Sequence, residues 1–140
     1  MSESVRGLIL AHGSLAAGLV GAVRQIAGAE DDEVLQPLTN DGSGPEGLVT
    51  AINSAAGESP VVVFTDLSSG SCAFAARKVS LTRPHTAVIC GVNLAVLLDF
   101  VFHRDLPLPE LVERLVEKGR GAIMGSCTEE MVDVDRALPR

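Results

Sequence analysis

The chain has 140 residues, 46% of them hydrophobic and 21% charged, with a net charge of −7. That size and balance fit one globular domain with a continuous buried core and exclude a disordered chain. Lys and Arg are scattered, and Trp and Tyr are absent, so nucleic-acid binding has neither a basic stripe nor stacking platforms, whereas an acidic surface would steer towards a basic protein partner.

A membrane-spanning helix needs about 20 uninterrupted apolar residues. The longest candidate, Val92 to Phe102, is broken by Asn93 and Asp99. Arg6 is the only basic residue before the apolar run Gly7 to Ala11, and no cleavage pattern follows, so a signal peptide is not expected and a cytoplasmic protein is. Cys72, Cys90 and Cys127 are odd in number and lack metal-ligand spacing, which predicts free thiols and no metal site.

Val5 to Ala11 reads as a buried strand that ends in the turn His12-Gly13-Ser14. Leu15, Leu19, Val23 and Ile26 share one face of a first helix, with Gly28 as its stop. Acidic Glu30 to Glu33 leads into a second strand around Val34 to Leu38. The turn formers from Asn40 to Pro45 precede a second helix carrying Leu48, Val49, Ile52, Ala55 and Ala56. Gly42 and Gly44 are turn residues, since no Gly-Lys-Ser/Thr follows them to make a phosphate loop.

Val61 to Thr65 is continuously apolar and β-branched, as in a strand covered on both faces, and Asp66 stands at its carboxyl end. Ser68 to Ser71 turns into a third helix. Thr86 to Cys90 gives a fourth strand, Asn93 to about His103 an apolar helix, and Pro109 to Gly119 a helix with Leu111, Val112, Leu115 and Val116 inward. Ala122 to Met124 is a candidate fifth strand. The alternation predicts a three-layer α/β fold with a mostly parallel sheet in the flavodoxin-like order 2-1-3-4. Residues 1–125 form the domain and 126–140 an acidic tail with Glu129, Glu130, Asp133 and Asp135.

In open parallel sheets, ligands bind beyond the carboxyl ends of the strands, where the strand order reverses. The order 2-1-3-4 makes the strands ending at His12 and Asp66 neighbours across that crevice. A carboxylate that accepts from one ring nitrogen fixes the tautomer and leaves the other nitrogen with an outward lone pair that can attack phosphorus. An anionic phosphoryl group then needs donors, and Ser69, Gly70 and Ser71 open a helix whose unpaired N–H groups and dipole favour an anion. The blander readings are an ordinary N-cap for Asp66, a plain turn for Ser69 to Ser71, an inert thiol for Cys72, and exposed loop positions for His85 and His103.

The blocks Leu8-Ile9-Leu10-Ala11-His12-Gly13, Phe64-Thr65-Asp66-Leu67-Ser68-Ser69-Gly70-Ser71 and Gly91-Val92-Asn93-Leu94 resemble, in order and spacing, those of mannose/fructose-type IIA components of the sugar phosphotransferase system. The resemblance spans about residues 5 to 125. It implies a cytoplasmic carrier without a cofactor, in which His12 accepts a phosphoryl group from the phosphocarrier HPr and passes it to a IIB component, with Asp66 orienting the imidazole. It further implies a homodimer that exchanges a C-terminal strand, here Gly121 to Cys127, with the apolar Leu94 to Phe102 helix suited to the interface. This chain departs from the family pattern in the middle block, where Ser68 replaces an aromatic residue, Ser69 a glycine, Cys72 a proline and Phe74 an asparagine.

Two other functions share the fold: a regulatory module that reports its phosphorylation state, favoured by the altered Ser68 to Phe74 block, and the phosphocarrier subunit of dihydroxyacetone kinases. The Gly91 to Leu94 block fits the mannose type better. A serine hydrolase lacks the Gly-x-Ser-x-Gly elbow, although Ser71 sits at a strand-to-helix turn. Metal catalysis lacks a paired motif among His12, His85 and His103.

Overall fold

Two central strands with the apolar runs Leu8 to Ala11 and Val61 to Phe64 can only be buried between two layers of helices, and this dictates the architecture. A computed structural model describes residues 4–28, 34–39 and 44–129 of the chain. Strands β1 (Arg6–Ala11), β2 (Leu35–Thr39), β3 (Val61–Thr65) and β4 (Thr86–Cys90) form a four-stranded sheet in the order β2-β1-β3-β4. Every neighbouring pair is parallel. Pro37, which has no N–H for a ladder, lies on the edge strand β2, where its loss is tolerated.

Alternate residues of β1 and β3 feed two separate cores. Leu8, Leu10, Val61 and Val63 pack beneath helices α2 (Pro45–Ala56) and α3 (Ser71–Thr82), against Leu48, Ile52, Ala76 and Val79. Ile9, Ala11, Val62 and Phe64 face the opposite layer, helices α1 (Leu15–Ala27), α4 (Leu94–Phe102) and α5 (Leu108–Gly121). At its centre the Phe64 and Phe100 rings meet edge to face, with centroids 5.3 Å apart.

The helix boundaries follow local chemistry. α1 stops at Gly28, whose N–H bonds to the Arg24 carbonyl, and α2 begins with a proline in its first turn. Asn93 caps α4 by accepting from the Val96 N–H at 2.9 Å, while its amide donates to the Gly119 carbonyl of α5 at 3.1 Å. α4 and α5 are tied again by Arg114, which donates to both oxygens of buried Asp99 at 2.8 and 3.1 Å.

Two expectations change, those for Ala122 to Met124 and for His103. Ala122 to Met124 is not a strand: the Ala122 N–H bonds back to the Lys118 and Gly119 carbonyls and the Ile123 N–H to Arg120, so the donors a ladder requires are used in closing α5. α4 buries Val96, Leu97 and Phe100 in the chain's own core and leaves Phe102 as its exposed aromatic residue. His103 is not an exposed loop residue. It is half-buried at the end of α4, with Nδ1 2.8 Å from the Asp99 carbonyl oxygen. His85 is exposed, as expected, and no disulfide joins the cysteines among the described residues. The acidic Glu30 to Glu33, the turn residues Asn40 to Ser43 and the tail from Glu130 onward lie outside the described residues.

The packing of β1 against α4 makes a test. A Cβ built on Gly7 would lie 2.7 Å from Phe100 Cε2 and 2.8 Å from Leu35 Cδ1, whereas Gly18 and Gly21 of α1 face open space. Gly7→Ala is expected to cost about 1–3 kcal/mol through overpacking. Gly18→Ala and Gly21→Ala should each stabilise by about 0.5–1 kcal/mol through helix propensity. Urea unfolding midpoints of the three variants check the signs.

Candidate functional site

The pairing of β1 with β3 places Leu10 opposite Thr65, so the chain leaves both strands at the same level. His12 and Asp66 are therefore brought together from 54 residues apart in sequence. Gly13 follows with φ of 57°, a left-handed turn that directs the chain into α1. Across the crevice Gly70, with φ of 91° and ψ of −176°, adopts a conformation open to glycine alone and starts α3.

Asp66 Oδ2 accepts from the His12 backbone N–H at 3.0 Å and lies 2.8 Å from His12 Nδ1. Its Oδ1 accepts from the Leu67 N–H at 2.9 Å. Partial burial pushes the Asp66 carboxyl upward, yet the hydrogen bonds from the His12 backbone, the His12 ring and Leu67, with the charge of His12, hold it below the ordinary carboxylate value. An ionised carboxylate only accepts, so the proton of the short contact sits on Nδ1. The other ring nitrogen, Nε2, then carries the lone pair. The His12 side chain is 50% exposed, and among the described residues Nε2 makes no hydrogen bond, so a nucleophilic nitrogen faces solvent.

Asp66 is not the N-cap of α3; Gly70 occupies that position without a side-chain cap. The carboxylate is thus free for His12. The first intrahelical bond of α3 runs from the Phe74 N–H to the Gly70 carbonyl, which leaves the N–H groups of the first turn without helical acceptors. Ser69 and Gly70 are exposed and Ser71 is half-buried on that turn. Neither serine hydrogen-bonds to His12 or Asp66 among the described residues. Their loop offers donors beside the pair and plays no part in building it.

Two residues acquire roles that sequence spacing does not disclose. Fully buried Thr65 donates its hydroxyl to the Leu67 carbonyl at 2.8 Å, shaping the turn that aims Asp66, and its own carbonyl accepts from Val92 at 3.0 Å. A buried hydroxyl at a strand end must find such a partner, and this was the available signal. Cys72, buried in the first turn of α3, has its sulfur within 4.8 Å of donor atoms of both His12 and Asp66. Burial, followed by the Asp66 charge, pushes its thiol upward, so it is not an activated nucleophile.

This geometry has counterparts. The family model described as PTS system fructose IIA component matches residues 7–116. No curated protein matches the chain in sequence. Among solved structures, the phosphotransferase system component EIIA from Streptococcus agalactiae is 22% identical, with a TM-score of 0.79 over 86% of this chain and 96% of its own. The mannose/sorbose specific IIA subunit from Enterococcus faecalis is also 22% identical, with a TM-score of 0.78 over 93% of this chain and 100% of its own. The IIA protein associated with the fucose utilization operon of Streptococcus pneumoniae is 18% identical, with a TM-score of 0.72, covering 89% of this chain and 96% of its own. At these identities the structures show a common fold.

The lowered Asp66 carboxyl predicts a pH signature. A carboxyl depressed by folding stabilises the folded state fully above its unfolded value, about 3.9, and ceases to do so as pH falls through the lower folded value. Wild type should therefore melt above Asp66→Asn at pH 6, and the gap should close as the pH is taken below about 4. Thermal melts of both proteins between these limits check it; a gap independent of pH would assign the difference to packing.

Proposed function

The chain belongs to the family of PTS system fructose IIA components, and on that premise we propose that it is a phosphohistidine carrier of the phosphoenolpyruvate-dependent sugar phosphotransferase system, with His12 as acceptor. The observation that carries this reading is the 2.8 Å contact of Asp66 Oδ2 with Nδ1, which leaves Nε2 as the reacting nitrogen. In the forward step Nε2 attacks the phosphorus of a phosphohistidine donor, HPr. The phosphorus–nitrogen bond to the donor breaks as the bond to Nε2 forms, and the donor imidazole leaves with its electron pair. The His12 ring keeps its Nδ1 proton and gains positive character, which the Asp66 carboxylate stabilises. Ser69, Gly70 and Ser71, at the start of α3, donate to the phosphoryl oxygens. A IIB component then receives the group by the same exchange in reverse.

The approach of a protein donor suits this face. Leu67 and Phe74 are exposed beside the pair, and a groove lined by Gly70, Ser71, Phe74 and Arg77 runs along α3. No helix among the described residues is long and apolar enough to cross a membrane. A second groove follows the open edge of β4 and is lined by Ile89, Gly91, Val96, Leu115 and Ile123. In this reading the part of the Gly121 to Cys127 segment that lies beyond Ile123 pairs there from a second copy, making a homodimer. Light scattering should then give twice the chain mass for the full-length protein and the single mass for a chain ending at Ala122.

The decisive experiment is phosphorylation by phosphoenolpyruvate, enzyme I and HPr. Wild type is expected to take up an acid-labile, base-stable phosphoryl group and His12→Ala none. Asp66→Asn should be labelled about 10- to 100-fold more slowly, since it loses the partner that sets the tautomer. Equal labelling of His12→Ala and wild type would remove the assignment.

A further inference from the structure

Three donors of different chemistry meet at the carboxyl edge of the sheet: the His12 imidazole from the β1–α1 turn, the Asp66 carboxylate from the end of β3 and the Cys72 thiol from the first turn of α3. Each offers a ligand atom, and these atoms lie within 4.8 Å of one another. We propose that His12, Asp66 and Cys72 form a binding site for a divalent transition metal, zinc by preference, which silences His12.

The donor set selects the ion. Imidazole, thiolate and carboxylate together suit zinc, whereas magnesium and calcium require oxygen shells. Tetrahedral zinc, with bonds of about 2.0–2.3 Å, places its donors about 3.3–3.8 Å apart. The cluster reaches that spacing if the 2.8 Å His12–Asp66 contact opens slightly and the longer separations close by up to about 1 Å. His12 supplies most of the movement, because its side chain is 50% exposed. Asp66 and Cys72 move less, the former restrained by the Leu67 N–H and the latter by full burial. The exposed side of His12 leaves the fourth position to water. Cys72 stands where the family pattern has proline, so the third ligand belongs to this chain.

Binding converts the Cys72 thiol to a metal thiolate and releases its proton to solvent, with no change of oxidation state. Either mode of imidazole ligation removes the acceptor. A metal on Nε2 takes the lone pair directly, and a metal on Nδ1 displaces the proton to Nε2. Conversely, a phosphoryl group on Nε2 with the proton on Nδ1 leaves the ring no free donor, so metal and phosphoryl group exclude each other. The silencing rests on His12 as phosphoryl acceptor; the metal site itself does not.

Full-length apoprotein is titrated with zinc by calorimetry and with cobalt by absorption, which reads a thiolate-to-metal charge-transfer band. A single zinc per chain is expected, with Cys72→Ala and His12→Ala each weakening binding at least about 10-fold and Cys72→Ala abolishing the cobalt–thiolate band. The double variant Cys90→Ser/Cys127→Ser should keep both, which excludes the remaining thiols. Circular dichroism confirms that the variants fold. For each protein the labelling rate from phosphorylated HPr is then measured with and without one equivalent of zinc. The ratio should fall about 10-fold or more in wild type and stay within about twofold in Cys72→Ala. Equal zinc affinity and an intact charge-transfer band in Cys72→Ala would overturn the site. Zinc bound as expected to a protein that HPr does not label even without metal would retain the metal site and reject the carrier reading with its silencing.

Discussion

The candidate site depends on the register of the parallel ladder between β1 and β3. Leu10 lies opposite Thr65, and this alignment lets the residue that follows one strand meet the residue that follows the other. A slip that preserved the facing of side chains would move Asp66 by two residues, about 6.6 Å, and the 2.8 Å contact with Nδ1 would be lost. Two cores guard against the slip. Leu8 and Leu10 with Val61 and Val63 fill one face, and Ile9 and Ala11 with Val62 and Phe64 the other. A shift by one residue would exchange these sets between layers shaped for different side chains. Hydrophobic packing on both faces of the sheet thus sets the position of a polar pair at its edge.

The turns that leave the strands convert this register into direction. Asp66 is held by main-chain donors on each side, His12 N–H on Oδ2 and Leu67 N–H on Oδ1, so its carboxylate is oriented before the imidazole engages it. Thr65 fixes the same turn from beneath through its hydroxyl, and Val92 braces it from the neighbouring strand end. The block Gly91 to Leu94 therefore serves the site without touching the reacting atoms. Asn93, in that block, caps α4 and reaches the last turn of α5, joining the helical layer to the end of β4.

Sequence patterns reached most of this because parallel α/β folds follow strong rules. Central strands with continuous apolar runs, helices with a repeating face, and an order of 2-1-3-4 suffice to bring His12 and Asp66 into one crevice. The patterns fail where several physical solutions share one composition. Ala122 to Met124 is as apolar as a short strand, but the end of α5 claims its N–H groups. His103 looks like a loop residue because the half-buried carbonyl of Asp99 that it caps has no signature of its own. Cys72 could not be linked to His12 by spacing, since their proximity arises only when α3 starts beside the β1 turn.

The departures from the family pattern fall in a revealing place. Ser68, Ser69, Cys72 and Phe74 differ from that pattern, but none supplies a hydrogen bond to the His12–Asp66 pair, whose partners are main-chain groups and each other. The pair is a product of strand ends and tolerates change in the loop. That loop presents exposed Leu67 and Phe74 beside a nitrogen that faces solvent. Any protein that reaches Nε2 must bury part of this loop, so side chains here alter the free energy of docking while leaving the imidazole's tautomer to Asp66. Chemistry and recognition therefore reside in different layers of the same edge. Cys72 is where they touch: its side chain lies beneath the loop with its sulfur beside both members of the pair, so a change at this position acts on the imidazole–carboxylate pair and not on the exposed side chains of the loop.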